Sequence, residues 1–126
     1  MSETSENFTN DKLHPIVQYI AVRSDLKWSK GAMIAQACHA SSAAIHLNYE
    51  DQETRQYLKD LDNMHKIVVN VPNENDLIQL SEELNKNDIK FKLWMEQPEN
   101  IPTSLATKPY KKNLVEQFFK TFKLFR

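Results

Sequence analysis

Ile16-Val17-Gln18-Tyr19-Ile20-Ala21-Val22-Arg23, followed after a short polar stretch by the Ala- and Ser-rich residues 32–47, decides how this chain folds. The first segment is mostly apolar and β-branched, which predicts a strand covered on both faces and therefore a central one. The second places Ile34, Cys38, Ser41 and Ile45 at helical spacing. That spacing predicts a helix with a narrow side able to lie close on a sheet, and Ser29 is its expected N-cap.

Working outward, residues 52–61 carry Tyr57, Leu58 and Leu61 at three- and four-residue spacing, a second short helix. Residues 65–71 contain Ile-Val-Val and end at Pro72, a second strand, after which Asn73 is placed to cap a helix with Leu77, Leu80 and Leu84 along one face. Residues 89–95 alternate Ile89, Phe91, Leu93 and Met95 with Lys90, Lys92 and Trp94, predicting a strand with one buried and one partly wet face. Two prolines make residues 96–102 a loop, and residues 103–107 read as a short strand stopped before Pro109. Residues 113–122 set Leu114, Val115, Phe118, Phe119 and Phe122 on one side of a closing amphipathic helix. Alternating strands and helices predict one α/β domain over residues 15–126, with a mixed, largely parallel sheet of about four strands and helices on both faces.

A chain of 126 residues that is 40% hydrophobic closes one core and is too short for two domains. The polar residues 1–14 lack the apolar surface to order themselves and are expected to form a flexible tail. A formal charge of -1 excludes a surface that attracts nucleic acid everywhere but leaves room for a local basic patch. Cys38 is the single cysteine, so no intramolecular disulfide or thiol cluster forms, and it is expected to be a small buried hydrophobe. No apolar run approaches a membrane span and the first residues lack a signal-peptide pattern, so a soluble, cytoplasmic protein is expected.

The one glycine, Gly31, stands where the first strand hands over to the helix, between Lys27, Lys30 and the helix start. A glycine there permits an unusual turn, and the free amides of the helix with two mobile cations make an anion site. Solvated lysines beside an ordinary helix start explain the same residues equally well. Phosphate-loop and dinucleotide fingerprints are missing, which excludes the common nucleotide enzymes. Cys38, His39, Ser41 and Ser42 have nucleophilic or basic chemistry but share one helix without an evident orienting acid.

The run Arg23-Ser24-Asp25-Leu26-Lys27-Trp28-Ser29-Lys30-Gly31, continued by Ala35-Gln36-Ala37-Cys38-His39-Ala40, resembles the signature of the archaeal and eukaryotic, type two, peptidyl-tRNA hydrolases. Leu93-Trp94-Met95-Glu96-Gln97-Pro98-Glu99-Asn100-Ile101 is similar to the divergent branch of that family called peptidyl-tRNA hydrolase domain-containing. The resemblance implies a hydrolase of the ester between peptide and tRNA, acting in translation without metal or organic cofactor. Its implied catalytic residues are Lys30, Glu96 and Thr103; Arg23, Lys27, Trp28, Gln36, His39 and Asn100 are implied to bind substrate. Peptidyl-tRNA, through the acceptor end of the tRNA, is the implied partner; a membrane is not, and a homodimer is compatible with the pattern. The chain departs from the family pattern in two places. Ala32 replaces a basic residue, and Glu96 stands for the family's Asp in a loop that has lost its glycine. The alternatives are a catalytically weak or inactive tRNA- or RNA-binding module, or a protein-interaction module, of the same fold.

Overall fold

In the computed structural model, which describes residues 14–126, the chain runs β1 (Ile16–Arg23), α1 (Lys30–Leu47), α2 (Gln52–Lys59), β2 (Lys66–Val71) and α3 (Glu74–Lys86), then β3 (Phe91–Glu96), β4 (Ile101–Thr107), β5 (Tyr110–Lys111) and α4 (Lys112–Val115). The flexible tail expected for residues 1–14 lies almost wholly outside the described residues. Among the described residues no helix is long and apolar enough to cross a membrane.

The sheet has the order β2-β1-β4-β3, with β5 also paired to β1. It is mixed, but only β1 and β2 are parallel; β1–β4, β1–β5 and β3–β4 are all antiparallel. The largely parallel sheet expected from strand–helix alternation is therefore corrected. The physical reason is the short turn of residues 97–100, which joins β3 to β4 as a hairpin and leaves no crossover between them. Because β4 opposes both β1 and β3, strands β1, β2 and β3 still run the same way. Their carboxyl ends share one edge with the start of β4.

β1 is buried along almost its whole length, as its composition predicts. Val17, Tyr19 and Ala21 face a core made with Leu77, Leu80 and Leu84 of α3 and Phe119. Ile20 and Val22 face Ala40 and Ala44 of α1. Helices thus cover both faces. The side of α1 that lies on the sheet consists of Gln36, Ala40, Ser41 and Ala44, small residues apart from Gln36; of the expected row of Ile34, Cys38, Ser41 and Ile45 only Ser41 belongs to it. Ile34 is 64% exposed and Cys38 is also exposed. Small side chains let the helix axis approach the strands, which rolls the bulkier row onto the flank.

Ser29 and Asn73 cap their helices as expected, accepting from the amides of Ala32 and Asp76. Two expectations change. β4 begins at Ile101 and includes Pro102, which cannot donate to a ladder; the β3–β4 register slips at Trp94/Met95, opposite it. The closing helix over residues 113–122 shrinks to α4 and a 3-10 turn at Glu116–Phe118. The tail then runs along β2: Asn70 donates to the Lys123 carbonyl at 2.8 Å and Phe125 donates to the Val68 carbonyl at 2.9 Å. Phe118 and Phe122 stay on the α3 face while Phe125 reaches the α1 face, a path that a continuous helix cannot follow.

Candidate active site

At the shared edge of the sheet, Arg23 closes β1. Its Nε and Nη2 donate to the two oxygens of Asp25 at 3.0 and 2.8 Å, and Nη1 donates to the Pro102 carbonyl at 3.0 Å. Glu74 lies 3.5 Å from the same Nη1. The guanidinium is thus committed to tying the β1 loop, the start of α3 and the start of β4 together. Asp25 is held below the usual carboxylate range, chiefly by its hydrogen bond to Arg23.

Residues from α1, β3 and β4 meet on the other side of this edge. Thr103, buried in β4, donates to Gln36 Oε1 at 2.7 Å, and Ser104 donates to the Gln36 backbone carbonyl at 2.8 Å. The Gln36 amide donates back to the Ala32 carbonyl at 3.2 Å. One turn along α1, the His39 imidazole stacks on the Trp94 indole with centroids 4.6 Å apart and planes 16° from parallel. The Trp94 N–H donates to Glu96 Oε1 at 2.9 Å. That bond is the main reason the Glu96 carboxyl lies below its ordinary range; desolvation opposes it, and the Gln36 amide and His39 add smaller lowering effects.

The turn after Glu96 is fixed locally. Asn100 donates from its backbone to the Glu96 carbonyl at 2.7 Å, and its side chain accepts from Gln97. Its φ of 57° is a left-handed conformation that Asn tolerates better than most residues, so this turn needs no glycine.

Lys30 opens α1, directly after the Ser29 cap. Gly31 makes no unusual turn: its backbone is ordinary helix and a Cβ there would meet nothing within 4 Å. Lys30 and His39 are nine residues apart, about two and a half helical turns, and so lie on opposite flanks of α1. His39 faces Trp94 on β3, whereas Lys30 and Trp28 line an apolar recess over β1 and β2. Of the residues implied by resemblance, Gln36, His39, Glu96, Thr103 and Asn100 thus gather around β3 and β4. Lys30 and Trp28 sit across the helix, Lys27 is exposed between them and Arg23, and Arg23 is internally paired. Trp94 was not singled out beforehand, although its place two residues before Glu96 on a strand puts both on one face.

Lys108, which follows β4, is buried. Its ammonium meets Asp51 at 3.0 Å, Glu53 at 2.9 Å and the Pro109 carbonyl at 2.8 Å, and lies 3.7 Å from the Tyr110 ring centroid. It belongs to the frame.

The sequence profile of the family described as "Peptidyl-tRNA hydrolase PTH2" matches residues 16–125. The chain belongs to this family. Mouse and human proteins named "Putative peptidyl-tRNA hydrolase PTRHD1" are each 44% identical over 116 residues, covering 88% of this chain and 83% of theirs. A peptidyl-tRNA hydrolase of Methanococcus vannielii is 29% identical over 114 residues, 85% of this chain and 97% of its own. The two departures from the PTH2 family pattern stand on different elements, Ala32 on the first turn of α1 and Glu96 at the end of β3, before the β3–β4 turn.

Proposed function

We propose that the protein hydrolyses the ester bond between peptide and tRNA, with Glu96, Lys30 and Thr103 as its catalytic residues. The observation that carries the reading is the Glu96 carboxylate, gripped by Trp94 and kept ionised beside Gln36 and His39. A carboxylate held this low is a weak base but a constant acceptor, suited to orienting a water and taking its proton as the carbon–oxygen bond forms. The ester bond to the ribose then breaks, and the ribose oxygen leaves with a proton. Lys30, on the first turn of α1, supplies positive charge for the oxyanion or for a neighbouring phosphate. Thr103 positions Gln36 through their hydrogen bond. Lys27 meets phosphate, and Trp28, Gln36, His39 and Asn100 contact the acceptor end; Arg23 shapes the edge from within.

The test is cleavage of a peptidyl-tRNA by purified protein free of host hydrolase, followed by Glu96→Gln. Catalysis by this site predicts a fall in turnover on the order of a hundredfold, with tRNA binding retained. A second reading, tRNA binding without cleavage, is favoured by the placement of Lys30 on the flank of α1 away from Glu96. Wild-type protein that binds tRNA but releases no peptide would establish it instead.

A further inference from the structure

The flank of α1 opposite His39 borders a recess of about 800 Å³ whose lining includes Lys30 and Trp28 but whose aliphatic walls the ester-cleaving reading does not use. Its walls are aliphatic: Ile20 and Val22 of β1, Val68 of β2, and Met33, Ala37 and Ile45 of α1. Its mouth is ringed by apolar side chains left in water, with Ile34 at 64%, Leu61 at 61% and Met64 at 39% exposure. Sites that take small organic molecules have this size and this mixture of apolar wall and few polar groups.

The charged side chains of the recess are of one sign. Lys30, Lys66 and Arg126 line it together with Ser41, Ser42 and Cys38, and the lining contains no Asp or Glu. Among the described residues none of these three cations is in a salt bridge; the bridges formed belong to Arg23 and Lys108. Lys66 is the informative one. Although the residue as a whole stays exposed at the start of β2, its ammonium turns inward to Gln18 Oε1 at 2.7 Å and Ser41 Oγ at 3.1 Å. It also lies 5.5 Å from the Tyr57 ring centroid. All of these partners are neutral, and burial pushes the Lys66 pKa down. Contrast Lys108, which is fully enclosed and whose ammonium is answered by two carboxylates. A partly desolvated cation with only neutral neighbours, beside an aliphatic wall, is complementary to an anion that brings its own apolar body.

We propose that this recess binds an aliphatic carboxylate, its head group on the Lys66 ammonium and its chain along the wall formed by α1 and β1. The Ser41 hydroxyl, which donates to Gln18 at 2.7 Å, holds Lys66 in place rather than meeting the ligand. The chain of the ligand covers the apolar rim that is otherwise wet. This site is separate from the Glu96 cluster, and its occupancy does not depend on ester cleavage.

The probes are dodecanoate, dodecanol and dodecylamine, titrated below their aggregation thresholds and followed by calorimetry and by the fluorescence of Trp28 in a Trp94→Phe background. Dodecanoate is expected to bind once per chain, at least tenfold more tightly than dodecanol, and dodecylamine not at all. Lys66→Met should weaken dodecanoate on the order of tenfold or more while leaving dodecanol unchanged. Ser42→Phe, at an exposed position on the lining, should block both without touching the core. Equal binding of the three probes, or an unchanged affinity in Lys66→Met, overturns the proposal. So does a dimer in sedimentation that dodecanoate fails to dissociate and Ser42→Phe disrupts, since a second copy is then the occupant.

Discussion

The Trp94 indole donates to Glu96 Oε1 at 2.9 Å while its ring lies against the His39 imidazole, so one side chain couples the acid on β3 to the helix that carries the family motif. Trp94→Phe keeps the stacking surface and deletes the donor. Glu96 then loses the main cause of its lowered pKa. The acid limb of the pH profile for kcat/KM should move to higher pH, because a carboxylate that is less stabilised picks up its proton sooner on acidification. A profile that stays in place would separate Glu96 from the chemistry.

Thr103→Val preserves shape and removes the proton donated to Gln36 Oε1. A buried amide oxygen is left without that partner, and unfolding free energy measured in urea should fall by about 1–2 kcal/mol. The pH profile should keep its position, since the Trp94–Glu96 bond is untouched.

Lys108→Met should cost about 3 kcal/mol or more, because it strands Asp51 and Glu53 without their shared cation. For a chain of this length that lowers Tm by roughly 10 °C. Affinity for tRNA should not change, in contrast to the expectation for a residue that contacts phosphate.

Lys27→Gln tests the exposed cation of the β1–α1 loop. If Lys27 neutralises one phosphate, the slope of log affinity against log salt should flatten by about one, without altered preference among tRNAs. An unchanged slope removes Lys27 from the interface.

The Arg23–Asp25 pair gives a pH signature in the folding equilibrium. Its folded-state carboxyl pKa is lowered, so the stability it adds is full above the ordinary carboxylate value of about 4 and is lost as pH falls through the lowered one. The stability difference between wild type and Asp25→Asn should shrink to nothing at the acid end of that window.

What could be read from the sequence divides along physical lines. β1 was legible because an apolar β-branched run has one comfortable environment, and the caps at Ser29 and Asn73 because they act within one turn. Strand direction was not, since Pro102 disguised the start of β4 as loop and four turn residues decide parallel against antiparallel. The candidate site was legible where motif residues share α1, as with Gln36 and His39. Arg23 and Lys108 draw partners from segments distant in the chain, which residue spacing does not reveal: Pro102 and Glu74 for one, Asp51 and Glu53 for the other. Cys38 and Ile34 were assigned to the wrong side of α1 because hydrophobic spacing alone does not reveal that alanines win the closest approach.

The terminal stretch beside β2 has a bearing on handling the protein. By offering the Lys123 carbonyl and the Phe125 amide to β2, it shuts the margin of the sheet that would otherwise invite strands from other molecules. Removing residues 123–126 would reopen that margin and bare the aliphatic surface under Phe125 at the same time. A shortened version should therefore gather into oligomers and scatter light at concentrations where the whole chain stays clear.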